Sequence, residues 1–429
     1  MPDLSISFRQ LAILAVGLLF VLAAALIFFN SSPSSSGPIA TAASESELVT
    51  RGKYLATAGN CASCHTTEGG EFMAGGLPFD TPFGTLYSTN ISPDSKTGIG
   101  DWSQRDFLNS MRHGVRPTGE HLYPAFPYTA FTKIEDEDVL AIYVYLQSIP
   151  PVAQTPFENS LFFPFNIRPL MAFWKAMYFD AGEFEVIASQ TDEWNRGAYL
   201  VDALAHCSAC HSPRNLLGAE KTQLAMSGGE YIDQVNSDAR RPWAAPNITA
   251  TQRGLALWSH KDVKDYLKTA RNDFLESYGP MNEVIINSTS HLTQSDVSAM
   301  ATYLKDLPAI DETSDSAPTA LLMGRGRTVY NLHCGTCHLP TGEGDPKMAP
   351  KLNAGSLVVQ SENPASMINA ILFSPTTPGP PLLPKWRHPM EEFRYLLDDN
   401  EVAAVATFVR NSWRNSAGIV TPQQVSRQR

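Results

Sequence analysis

The chain has 429 residues and a formal net charge of −11, from 43 acidic and 32 basic side chains. That length exceeds one ordinary core, and at about 100–200 residues per domain it implies two to four domains. Acidic residues are spread along the chain with no basic block among them, which argues against a nucleic-acid partner.

The first element is apolar. Leu11 to Phe29 is an unbroken run of apolar or small residues; as a helix rising about 1.5 Å per residue it nearly matches a hydrocarbon core about 30 Å thick. Arg9 precedes the run and a charge-poor stretch, Ser31 to Pro38, follows it, so the positive-inside bias puts the N-terminus in the cytoplasm. Ala40-Thr41-Ala42 resembles a signal cleavage site, but the run is long for a signal and the site lies well beyond its end. The reading is an uncleaved anchor and linker over residues 1–45. Cleaved or not, the remainder is exported.

Three segments of one layout follow, at 46–155, 185–312 and 318–415, with an aromatic linker at 156–184. Each opens on a Gly-bearing helical stretch: Arg51-Gly52-Lys53-Tyr54, Arg196-Gly197-Ala198-Tyr199 and Arg325-Gly326-Arg327-Thr328. A glycine there lets two helices approach closely. Each then carries a C-x-x-C-H run: Cys61, Cys64 and His65; Cys207, Cys210 and His211; Cys334, Cys337 and His338. These runs account for all six cysteines. One run alone could be a thioredoxin-like pair, half a zinc site or disulfide-bonded. Three copies, each with an adjoining histidine and no spare cysteine nearby, point instead to three covalent haems. In that chemistry the thiols add to the vinyl groups and the histidine ligates iron.

Each segment closes on an amphipathic helix: Val139, Ile142, Tyr143 and Leu146; Val297, Met300, Ala301 and Leu304; Val402, Val405, Phe408 and Val409. Acidic residues crowd the first turns and mark the N-termini. The first two segments also share Thr89-Asn90-Ile91 and Pro246-Asn247-Ile248, then Trp102-Ser103 and Trp258-Ser259 at near-constant offset, as duplicated domains would. No long β-rich run competes, so the expected fold is all-α behind an N-terminal transmembrane helix.

A haem iron held by one histidine takes a second axial ligand from the loop before the closing helix, and a methionine thioether suits electron transfer. Met281 and Met390 stand there in the second and third segments. In the first, Phe126 occupies the place. The remaining donors are Met73, Met111, His113 and His121, of which His121 lies nearest in the same loop. The linker from Pro156 to Phe179 reads as a buried strap packing the first two domains together, with a partner contact or the membrane interface as the other readings.

Gly75-Gly76-Leu77-Pro78, Thr81-Pro82-Phe83-Gly84, Leu122-Tyr123-Pro124-Ala125 and Pro164-Phe165-Asn166-Ile167-Arg168, together with the three attachment runs, make the chain resemble the triheme cytochrome c subunits of membrane-bound periplasmic dehydrogenases acting on alcohols, gluconate or aldehydes. The resemblance implies three tandem class I cytochrome c domains on the periplasmic side of the inner membrane. It also implies a role without substrate chemistry of its own: taking electrons from a catalytic subunit (quinoprotein, flavoprotein or molybdoprotein) and passing them to ubiquinone or the respiratory chain. Many relatives carry Met where this chain has Phe126. The competing readings are a haem enzyme, peroxidase-like or oxidising sulfur compounds, and a stand-alone carrier serving a terminal oxidase or reductase.

Overall fold

The computed structural model describes residues 41–429 apart from 235–239, 312–316, 380–381 and 383–388. The first unit comprises helices α1 (Glu45–Ala58), α2 (Cys61–His65), α3 (Gln104–His113), α4 (Tyr128–Phe131) and α5 (Asp136–Ser148). After α6 (Met171–Tyr178), the second unit repeats the order as α7 (Asp192–Tyr199), α8 (Ser208–His211), α9 (His260–Thr269), α10 (Met281–Asn287) and α11 (Gln294–Asp306). The third has α12 (Ala320–His333), α13 (Gly335–His338), α14 (Leu357–Gln360), α15 (Ala365–Phe373), α16 (Asp399–Arg410) and α17 (Pro422–Gln428).

The opening and closing helices cross in all three units, and glycine sets the crossing. A Cβ on Gly52 would stand 1.8 Å from the Ala141 carbonyl oxygen, one on Gly197 2.0 Å from that of Ala299, and one on Gly326 2.1 Å from that of Ala404. Backbone thus packs on backbone, and a side chain has no room. The closing helices start where acidic or hydroxyl residues cap them: Asp398 accepts from Glu401 N in a capping box, and Thr293 accepts from Asp296 N. Val139, Val297 and Val402 sit on their buried faces.

The second unit holds one residue more than the first between its Arg-Gly pair and its first cysteine. The chain absorbs it in a π-helical turn, Leu200–Leu204, all but Asp202 of it buried. Both the Gly197 crossing and the attachment run keep their places.

The first two units meet reciprocally. Tyr54 in α1 donates to Asp296 in α11 at 2.6 Å, and Tyr199 in α7 donates to Asp138 in α5 at 2.7 Å. Each carboxylate is also paired within its own unit, Asp296 with Arg196 and Asp138 with Arg51. Such equivalence is what an isologous contact between two copies looks like. One continuous apolar core runs through both units, while the third has its own, built on α12, α15 and α16.

The expectation of an all-α chain with an N-terminal transmembrane helix is corrected. Five strands are present among the described residues. β1 (Pro78–Thr81), β2 (Gly84–Tyr87) and β3 (Ser160–Leu161) form an antiparallel sheet, and β4 (Gly229–Gln234) pairs with β5 (Arg240–Ala245). β1–β2 and β4–β5 are hairpins in the loops after the attachment runs and β3 is a two-residue strand of the linker, all too short to produce a β-rich run in the sequence. The span over Leu11–Phe29 lies outside the described residues; among those described, no helix is long and apolar enough to cross a membrane.

Half of the linker behaves as a strap. Met171 and Trp174 of α6 are buried against Tyr128 of the first unit and Ala219 of the second, and Trp174 Nε1 donates to the Leu217 carbonyl at 2.9 Å. Its first half does not, for Phe162 and Phe163 are 65% and 80% exposed.

Candidate functional site

Each attachment run forms a short helix that starts as the chain leaves the opening helix, so two thiols and an imidazole project from one turn. The cysteines are free thiols, half-buried. Burial pushes those of Cys61, Cys64, Cys207 and Cys334 up to about 12 and raises Cys210 as well. A redox-active pair has a depressed thiol pKa, the opposite of the direction at these five thiols. Among the described residues no group of three or more His, Cys, Asp or Glu side chains is placed to hold a bare metal ion.

The histidines are oriented alike. Nδ1 of His65 lies 2.6 Å from the Thr89 carbonyl oxygen, Nδ1 of His211 2.7 Å from that of Pro246, and Nδ1 of His338 2.9 Å from that of Pro350. A carbonyl only accepts, so each Nδ1 carries the proton and donates it. Nε2 is then the unprotonated nitrogen, as iron ligation requires. Burial lowers the pKa of His65 and His211 and keeps them neutral.

The carbonyls are themselves fixed. Asn90, next to Thr89, donates to the Val152 carbonyl at 2.7 Å, and Asn247, next to Pro246, to that of Ile310 at 2.8 Å. Both acceptors lie just past the closing helix, so the proximal loop is tied to the frame. The sequence marks Asn90 and Asn247 as repeat residues but not this role, because the groups they position are main-chain atoms.

The structure places Met281 at the first position of α10, half-buried on the core of the second unit. Its loop is clamped to the third unit at both ends: Tyr278 donates to the Ser366 carbonyl at 3.1 Å and Asn282 to that of Thr376 at 2.8 Å. Beside it, the benzo edge of the Trp243 indole lies against Gly279, and the buried indole N–H has no acceptor among the described residues, a donor that a carboxylate-bearing cofactor would satisfy. Met390 packs on the core of the third unit, its carbonyl accepting from Ser374. The donor sets therefore fit haem: paired thiols beside an oriented imidazole in all three units, with a thioether in a tethered loop in the second.

The first two sites are neighbours. Cys64 is raised first by burial and then by the charges of Cys61, Cys210 and Glu283, and Tyr231 feels both Cys210 and Cys64. The third site is built on the separate core of its own unit.

The family model for cytochrome c matches residues 49–150 and 323–413. The chain is 37% identical to the gluconate 2-dehydrogenase cytochrome c subunit of Pantoea cypripedii, over 88% of this chain and 89% of that one. It is 33% identical to the fructose dehydrogenase cytochrome subunit of Gluconobacter japonicus, over 98% and 90%. It is also 41% identical to a nicotinate dehydrogenase subunit of Pseudomonas putida, over 85% of this chain but only 30% of that longer protein.

Proposed function

The chain belongs to the family of cytochrome c subunits of dehydrogenase complexes, and from that premise we propose that it takes electrons from a catalytic subunit through three covalent haems and delivers them to ubiquinone or the respiratory chain on the periplasmic side of the inner membrane. The observation that carries the reading is the repeated imidazole orientation, Nδ1–H on a main-chain carbonyl beside a thiol pair, in all three units.

Cys61, Cys64, Cys207, Cys210, Cys334 and Cys337 tether the groups. His65, His211 and His338 would hold the irons, and Met281 and Met390 would supply the second protein donor in the second and third units. When bound, haem supplies a one-electron iron couple. The chain sets its potential: a thioether and an apolar surround disfavour the extra positive charge of ferric iron, while the buried carbonyl bonds keep each imidazole from turning. The adjacency of Cys64 and Cys210 favours passage between the first two sites.

Mass spectrometry of the mature chain is expected to show three haem additions, with haem staining that survives denaturing electrophoresis. Co-purified with its catalytic subunit, the chain is expected to show reduced haem bands on addition of that subunit's substrate. Stain lost on denaturation sinks the attachment, and bands that stay oxidised in an active complex sink the carrier role.

A further inference from the structure

The two reciprocal units share a backbone plan on the distal side, so each position in the first can be read against its counterpart in the second. Helices α3 and α9 both end on a residue in the left-handed region, Gly114 at φ 59° and Ala270 at φ 64°. From there the chain doubles back identically: Leu122 N donates to the Gly114 carbonyl at 2.8 Å, and Ser277 N to the Ala270 carbonyl at 2.8 Å. Four residues further on stand Phe126 and Met281. Each precedes or opens a short helix that crosses to the other unit: α4 lies against the π-helical turn before Cys207, and α10 against α2. Phe126 therefore occupies the place of Met281.

The other donors of the first unit fall on counterparts that are not the ligand position. Met73 corresponds to Met226: both are buried, at φ 60° and 63°, and their carbonyls accept from Ile91 N and Ile248 N. Since the second unit has Met226 as well as Met281, the Met73 place is a packing place beside the proximal loop. Met111 corresponds to Leu267, counted from the matching caps Ser103 and Ser259, and both are buried core residues. His113 corresponds in the same way to Thr269. His121 corresponds to Glu276, the residue before the matching hydrogen bond; Glu276 sends its carboxylate back to Arg271 at 3.1 Å. His121 is held differently from the proximal histidines: it bridges to Val115, and its Nδ1 accepts from Lys175 Nζ at 3.0 Å, which puts the proton of the neutral ring on Nε2.

We infer that Phe126 closes the distal side of the first haem without supplying a donor, so that the first unit has a five-coordinate iron able to take a small uncharged diatomic ligand. The ring packs edge-on against Phe131 at 5.4 Å within the apolar core. Apolar packing at the ring favours a neutral ligand over an anion. The inference rests on the haem reading above, and the test keeps the two apart.

The test uses the intact chain, first shown by mass to carry three haems, reduced with dithionite and titrated with carbon monoxide near neutral pH. The expected result is one carbon monoxide per chain, read as a Soret shift of one-third of the haem absorbance. Phe126→Met is expected to bring uptake to none and, in the oxidised chain, to raise the near-infrared sulfur-to-iron band by half, from two haems to three. Phe126→Leu is expected to keep one, and His121→Ala and Met111→Leu to leave uptake at one. Three haems with no uptake by the unsubstituted chain overturns the inference, as does uptake that appears only in His121→Ala or Met111→Leu. A chain with fewer than three haems fails the functional reading instead.

Discussion

The hydroxyl of Tyr54 and the carboxylate of Asp296, 242 positions apart, meet at 2.6 Å, and Asp296 is gripped at the same time by Arg196. The tyrosine comes from one unit and the ion pair from the other. A hydrogen bond to a charged group contributes about 1.5–3 kcal/mol. Tyr54→Phe is therefore expected to lower the stability of the paired units by roughly that amount, and Tyr199→Phe to act similarly through Asp138. Urea unfolding followed in the Soret band checks it; a midpoint unmoved by either substitution would show the contact to be incidental.

Two glycines in one helix should respond with opposite sign. A Cβ on Gly324 in α12 would have nothing within 4 Å, whereas one on Gly326 would stand 2.1 Å from the Ala404 carbonyl oxygen. Gly324→Ala is expected to stabilise by about 0.5–1 kcal/mol through lost chain entropy. Gly326→Ala forces α12 off α16 and is expected to cost about 3 kcal/mol, the upper end for overpacking, because the neighbour is backbone and cannot turn aside. Thermal unfolding of the third unit reads both, and two shifts of the same sign would contradict the crossing geometry.

Met281→Gln and Met390→Gln are each expected to lower one haem midpoint and leave the others in place, since an amide oxygen favours ferric iron relative to a thioether. Because Tyr278 and Asn282 tether the loop, the Met281 change should not unfold it. A redox titration whose steps are unchanged in both variants would remove the methionines from the ligand set.

His121 predicts an acid-sensitive step. Burial, and then the charge of Lys175, lower its pKa to about 4 from an unfolded value near 6.5. The unfolded chain thus binds a proton between those limits that the folded chain refuses. The associated stability is fully present above pH 6.5 and is lost as pH falls toward 4, with a ceiling of about 3 kcal/mol. His121→Gln is expected to flatten the stability profile across that window, and denaturant midpoints measured from pH 7 to 4 decide it.

What could be read from the sequence was local. The attachment runs keep thiols and imidazole within five residues, and the glycines at 52, 197 and 326 stand eight to ten positions before the first cysteine of each run. The strands β4 and β5 were not legible because Gly229–Gln234 has no clean alternation and Arg240–Ala245 contains Pro242. The carbonyls of Thr89, Pro246 and Pro350 carry no side-chain signature for what they do. The place of His121 could not be settled either: its nearness in the loop suggested a ligand, and only the hydrogen-bonded doubling-back at Gly114 shows which residue stands opposite Met281. Tyr54 and Asp296 look ordinary apart, since neither means anything until α1 and α11 are brought together.

The reciprocal Tyr54–Asp296 and Tyr199–Asp138 contacts have the form that two identical chains use to dimerise, yet here both halves are on one polypeptide. Tethering fixes their effective concentration, so the pair does not come apart on dilution as a true dimer does. Fusion also ends the obligation of sameness. In a homodimer any change at the interface or in the pocket is written twice, whereas in this chain one half can hold Met281 while the other takes Phe126, and the shared frame can serve two chemically different centres.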